Sequence, residues 1–246
     1  MLVIVTSHWK EDLTWLKQSK FPVVLIDKEG SDPSCFTPWR VIPNRGGAES
    51  VYFKFIIENY DNLPDHVAFI HGHENSHHQN YPVPLLQVIE SANLEYGYIP
   101  LNGCVRFYSF FNEEGVANGP LIWDTLHLPQ DKKPKIGQMM ISQPASQFIV
   151  SRERILANSK EFYEHIYNVI MTEEPEFEKW SKTYVGKNWA YLEHVIHVIF
   201  GEPLICFHNP NWFRIPLKPI VCVVHPEEER KYYTAILDEL ISKNTV

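Results

Sequence analysis

Apolar residues in this chain fall first into short unbroken runs. Leu2-Val3-Ile4-Val5-Thr6, Pro22 to Asp27, and His66 to His71 are each too short for a helix. Such runs mark strands buried on both faces of a sheet. Between them the period lengthens. Glu11 and Asp12 open a helix predicted to reach Ser19, with Leu13 and Leu16 on one face. Ala48, Val51, Tyr52, Phe55, Ile56 and Asn59 then recur at helical spacing, closed by Leu63-Pro64-Asp65. Strand, helix and strand at these separations predict parallel βαβ units.

The later pattern is more broken. Pro84 to Leu94 reads as a helix, Gly97 to Leu101 as a strand, and Gln147 to Val150 as another. Ser151 is placed to cap a helix carrying Ile155, Phe162, Ile166 and Val169. In Asn188 to Phe200, Leu192, Val195, Ile196 and Ile199 form a core stripe. Glu193 and His197 lie together on its flank, while His194 faces away toward solvent. Leu204 to His208 and Lys218 to Val224 are short apolar runs. His225 caps a final helix that runs to about Ser242. From Asn102 to about Gln147 no period survives, so the segment is read as functional loop or as strands too short to recognise. The sum is one α/β domain, a mixed and mainly parallel sheet flanked by helices.

Composition narrows the function. Of 246 residues, 44% are apolar and 21% charged, which excludes a disordered chain. Lys plus Arg is 22 and Asp plus Glu 30, a net charge of −8, so a nucleic-acid backbone is not the expected partner. No apolar stretch is long enough to cross a membrane. The start lacks a basic region before its apolar run and reads as a strand, not a signal peptide. Cys35, Cys104, Cys206 and Cys222 have no metal or redox spacing. They are expected as separate thiols in a reducing, cytoplasmic setting.

The densest chemistry follows the third strand, where His71, His73, His77 and His78 surround Glu74. In open parallel sheets, ligands bind beyond the carboxyl ends of strands. His71 and His73 are two apart in extended chain, so they can converge on one metal ion, or donate hydrogen bonds to a diphosphate. Imidazole pairs suit zinc, manganese or iron. The alternative is a polar loop with ordinary hydrogen-bonded histidines. Asp27 also ends a buried strand and can accept ribose hydroxyls or a uracil N–H; it can equally be a turn residue. His8 and Trp9 can sandwich a base or merely cover the sheet edge. Asn44-Arg45-Gly46-Gly47 precedes a helix and can meet an anion. Glu193, at the border of a core, is a candidate general base with His197 to orient it, against an ordinary polar pair. His208 is a candidate remote ligand or a loop histidine. No serine-hydrolase elbow is present.

Several strings resemble one family: Val3-Ile4-Val5-Thr6-Ser7-His8-Trp9 with Glu11-Asp12 and Trp15-Leu16, Pro43-Asn44-Arg45-Gly46-Gly47-Ala48-Glu49, Tyr60-Asp61 with Pro64-Asp65, Phe69-Ile70-His71-Gly72-His73, Phe148-Ile149-Val150-Ser151-Arg152, and the Glu193 helix ending at Gly201. They are similar to domain-of-unknown-function family 3431. The layout also resembles glycosyltransferases of the A-type fold, of viral and fungal kind. That resemblance implies a nucleotide-binding half at about 1–100 and an acceptor half at about 101–246. It implies transfer from a nucleotide-sugar donor to a glycan hydroxyl. By the same likeness Asp27 meets the nucleoside, Glu193 the acceptor, and His71, His73 and His208 the diphosphate or its divalent metal, manganese or magnesium. His71-Gly72-His73 stands where the family pattern has Asp-x-Asp, which leaves metal-independent transfer open. A metal-dependent hydrolase and a non-catalytic carbohydrate-binding protein are the other expectations.

Overall fold

The first three apolar runs form neighbouring parallel strands in the computed structural model. It describes residues 1–246 apart from Asp32, Ser34, His77, Asn80, 110–122, Ile136, Pro144, 173–189, His208, 222–226 and 244–246. β1 (Leu2–His8) pairs with β2 (Val23–Lys28) on one side and with β4 (His66–His71) on the other, both in parallel. β3 (Arg40–Ile42) extends the edge beyond β2. On the far side β8 (Phe148–Ser151) runs antiparallel between β4 and β5 (Tyr98–Pro100). The six-stranded order is β3-β2-β1-β4-β8-β5, the expected mixed sheet. Every residue of β1 is buried, as an unbroken apolar run requires of a central strand.

α1 (Glu49–Asn59) covers this sheet with Val51, Tyr52, Phe53, Phe55 and Ile56. Tyr52 sits 4.8 Å from Phe69 of β4, measured between rings. Phe148 lies 5.5 Å from Phe69, and 5.2 Å from both Tyr98 and Phe200. This aromatic cluster joins α1, β4, β8 and β5 to the end of α5 (Ala190–Ile199). The predicted stripe Leu192, Val195, Ile196 and Ile199 is buried. The last carbonyls of α5 and the turn after it are held from outside. Asn158 donates to Ile199 at 2.7 Å and Lys132 to Gly201 at 2.8 Å, so orphan acceptors at the helix end are satisfied. α2 (Leu85–Ser91) buries Leu85, Val88 and Ile89, and α6 (Glu227–Lys243) closes the described chain. Among the described residues no helix is long and apolar enough to cross a membrane.

Three expectations need correction. The helix over 11–19 is only a 3-10 turn, Thr14–Gln18. The Asp12 carboxylate accepts from the Thr14 backbone at 2.8 Å and starts the chain turning there. Ser151 does cap a helix, but α3 (Arg152–Leu156) stops early. Ser159 caps a second, α4 (Lys160–Met171), because each serine takes the N–H three residues on at 3.3 Å. In the segment 102–147 the second of its two readings holds, for it contains the short strands β6 (Cys104–Ser109) and β7 (Met139–Ser142). With β9 (Ile205–Cys206) and β10 (Ile220–Val221) they form a second sheet in the order β10-β6-β7-β9. It has its own small core of Val105, Ile141, Phe207, Val221 and Leu237. Finally, Cys104 is disulfide-bonded, not a separate thiol. The proposed cap at His225 lies outside the described residues.

Phe148 is fully buried at the centre of the aromatic cluster. Phe148→Ala is expected to remove about 3–5 kcal/mol of stability, read as a lower denaturant midpoint with an unchanged slope.

Candidate metal centre

β4 ends at His71, and the chain then passes under the end of β1. A side chain at Gly72 would meet the Ser7 carbonyl at 2.9 Å and the Glu11 carboxylate at 3.1 Å. Glycine is therefore required by close approach. The Trp15 indole N–H fixes the turn by donating to the Gly72 carbonyl at 3.2 Å. His71 and His73 consequently face one another, 5.1 Å between rings, as the two-residue spacing predicted. His78 comes back to complete a near-equilateral triangle, 5.5 Å from each. One nitrogen from each of the three rings lies within 4.8 Å of the other two.

Outer contacts hold this triangle. The Gln147 carbonyl oxygen accepts from the His71 backbone at 3.1 Å, and its amide donates to Asn102 Oδ1 at 3.0 Å. The same amide nitrogen stands 3.3 Å from His78 Nε2. The His78 carbonyl accepts from Cys104 N at 3.1 Å, and the Gln79 carbonyl from Gly103 N at 2.6 Å. β6 thereby pins the loop. Burial and the adjacent His78 and His73 keep the His71 imidazole well below the ordinary histidine range, so it is neutral and its lone pair is available. Three imidazole nitrogen donors with no carboxylate among them fit zinc or iron, and manganese less closely. They fit magnesium poorly.

A second polar centre adjoins the first through Ser146 and Gln147. Ala145 and Ser146 both take left-handed backbone, with φ of 75° and 46°. Consecutive residues without glycine in that region cost on the order of 1–3 kcal/mol each and tend to persist at functional positions. The turn aims Ser146 Oγ at Glu49 Oε1, to which it donates, while the next residue supports the histidines. Glu49 is 1% exposed. Burial first, and then the charge of Glu193, raise its carboxyl to about 8. Glu193 is raised to about 7 by burial, opposed by the Arg106 guanidinium. The Tyr52 hydroxyl is buried among these groups and makes no hydrogen bond within the described residues.

The predicted site residues divide. His71 and His73 come together, joined by His78, whose place in the histidine-rich string was the available signal. Glu193 is partly buried with a raised pKa, as a candidate base requires. His197 does not orient it: among the described residues the two share no hydrogen bond. His197 is instead buried and pushed down to about 3 by desolvation, then by His194 and Lys132. His194 is also not a solvent residue, since desolvation lowers it to about 4. The reason is that α5 is enclosed on more than one side. Asp27 and His8 pair at 2.7 Å, with Ser31 also donating to Asp27, and both are almost fully buried. His8 Nε2 meets the Glu11 carbonyl at 3.1 Å, and at 1% exposure the ring offers no stacking face as it stands. Trp9 is 37% exposed, beside Gly30, with the Lys10 ammonium 4.7 Å above its ring. Asn44 and Arg45 lie in an exposed turn, whose Arg45 carbonyl accepts from Lys28 Nζ at 2.7 Å. His208 lies outside the described residues. Glu49 was not singled out; its signal was an acid lying in line with Tyr52 and Ile56 on the buried face of α1.

The model of the family described as "Protein of unknown function (DUF3431)" matches residues 3–214. No curated protein and no solved structure matches the chain.

Titration with zinc or manganese is expected to show one site per chain. His78→Ala should abolish it while leaving the helical signal intact. Gly72→Ala should weaken it and cost about 1–3 kcal/mol of stability, because β1 cannot move aside without disturbing the sheet. Metal binding that survives loss of two histidines would show that the triangle is not the site.

Proposed function

We propose, for a chain that belongs to the DUF3431 family, transfer of a sugar from a nucleoside-diphosphate donor to a glycan hydroxyl, with a divalent cation at His71, His73 and His78. The observation that carries the reading is the histidine triangle at the carboxyl end of β4. That is the edge where ligands bind in open parallel sheets, and the place of the Asp-x-Asp that the glycosyltransferase likeness leads one to expect. The bound cation would neutralise charge on a departing diphosphate. Glu193 would take the acceptor proton, since a carboxyl at about 7 is balanced between holding and releasing it near neutral pH. Trp9, 37% exposed, would offer its ring to a base or sugar once the Lys10 ammonium above it moves aside.

One observation favours a second reading. Asp27 is sealed by His8 and Ser31 and does not offer the nucleoside contact assigned to it by likeness. A metal-dependent hydrolase needs the three imidazoles and a base but no nucleoside pocket. The disulfide at Cys104 further supports an oxidising compartment, against the cytoplasmic setting inferred from spacing.

The readings part on nucleotide binding. Uridine or guanosine diphosphate with manganese, at about 100 times its dissociation constant, is expected to add roughly 2.7 kcal/mol of stability, read as a higher melting temperature. No shift with any nucleoside diphosphate removes transfer and leaves hydrolysis. Turnover should rise as pH passes upward through about 7, where Glu193 becomes ionised. Glu193→Gln should lower turnover by about two to four orders of magnitude while preserving the donor-induced shift.

A further inference from the structure

We propose that Glu49 is a positioning residue, held as the neutral acid beside Glu193 so that the pair carries a single negative charge in the working protein. The inference rests on the reading of Glu193 as base for its consequence, but its evidence is independent of any reaction. The Glu49 carboxyl is wholly buried and accepts from Ser146 Oγ and from its own backbone N–H. Among the described residues it has no ion pair. The nearest buried cation, Lys28 on β2, is turned elsewhere: its Nζ donates to the Arg45 carbonyl and to Ser50 Oγ. A carboxylate buried this deeply with no paired cation is disfavoured, and takes up a proton instead.

Other groups act on it from every side. Ser146, on the turn before β8, donates to it. The charge of Lys28 on β2 favours its ionised form and that of Glu193 on α5 opposes it, while the Tyr52 hydroxyl of its own helix feels both carboxyls. Arg106 on β6 faces Glu193 and draws the negative charge of the pair to that side. α4 packs on α1 further along, with Tyr163 against Phe53 and Lys54 above Tyr167. Two close carboxyls lose their protons in two coupled steps. The first charge settles on Glu193, which has the guanidinium. Glu49 keeps the proton, and as a neutral group it does not repel the base it adjoins.

Infrared difference spectroscopy of wild type against Glu49→Gln tests this near neutral pH. Loss of a protonated-carboxyl band in the variant is expected, with the two-step carboxylate titration reduced to one step. Melting temperature gives a second readout. In the folded chain Glu49 is raised above its ordinary 4.5, so its contribution is present at acid pH and is lost as pH rises toward about 8. The melting temperature of Glu49→Gln relative to wild type should therefore climb between pH 4.5 and about 8 and then level. No lost band, or a difference that does not vary with pH, would overturn the proposal. If Glu49→Gln does not fold, Ser146→Ala should shift the same band in folded protein, and an unmoved band would overturn it equally. Absence of sugar transfer by the wild type would defeat the functional reading while leaving these measurements to decide Glu49.

Discussion

The Gln147 side chain ties together segments that lie far apart in sequence. It accepts from the His71 backbone, donates to Asn102, and stands against His78. β8 brings it there by running antiparallel beside β4, with Phe148 opposite Phe69. The left-handed pair Ala145–Ser146 then directs two neighbouring side chains into two polar centres. Without that register the histidines would remain a loop rich in imidazole, and Glu49 would be buried without its serine donor.

Both centres sit where the apolar core ends. The aromatic cluster of Tyr52, Phe69, Tyr98, Phe148 and Phe200 fixes α1 and the end of α5 against the sheet. Glu49 enters from the start of α1 and Glu193 from the first turn of α5. The packing that stabilises the fold thus removes water from two carboxyls and the His71 imidazole, and desolvation is the first cause of each shift at these groups. Low polarity strengthens every remaining interaction there, which is what a centre for charge-separating chemistry requires.

Asp27 and His8 illustrate the opposite outcome. Both stand at carboxyl ends of parallel strands, the same edge as the histidines. Yet they satisfy one another and Ser31, and are closed to a ligand in this arrangement. Position at a strand end makes a residue a candidate; its hydrogen-bond partners decide whether anything is left to offer.

The sequence by itself determined the parallel half of the fold. Unbroken apolar runs are possible only for strands covered on both faces, so β1, β2 and β4 and the helix at Val51 to Asn59 were legible from period alone. The convergence of His71 and His73 was legible for the same kind of reason, since side chains two apart in extended backbone share a side. Short strands such as β6, β7 and β9 were not, because a few residues do not establish a period and their pairing partners lie tens of residues away. Only the tertiary structure decided that His78 completes the triangle, that His197 is buried and His194 half-buried, and that Glu49 and Glu193 feel each other's charge. Those facts depend on which elements pack over a given side chain. A local pattern records which face of an element is apolar, not what the rest of the chain will bury beside it.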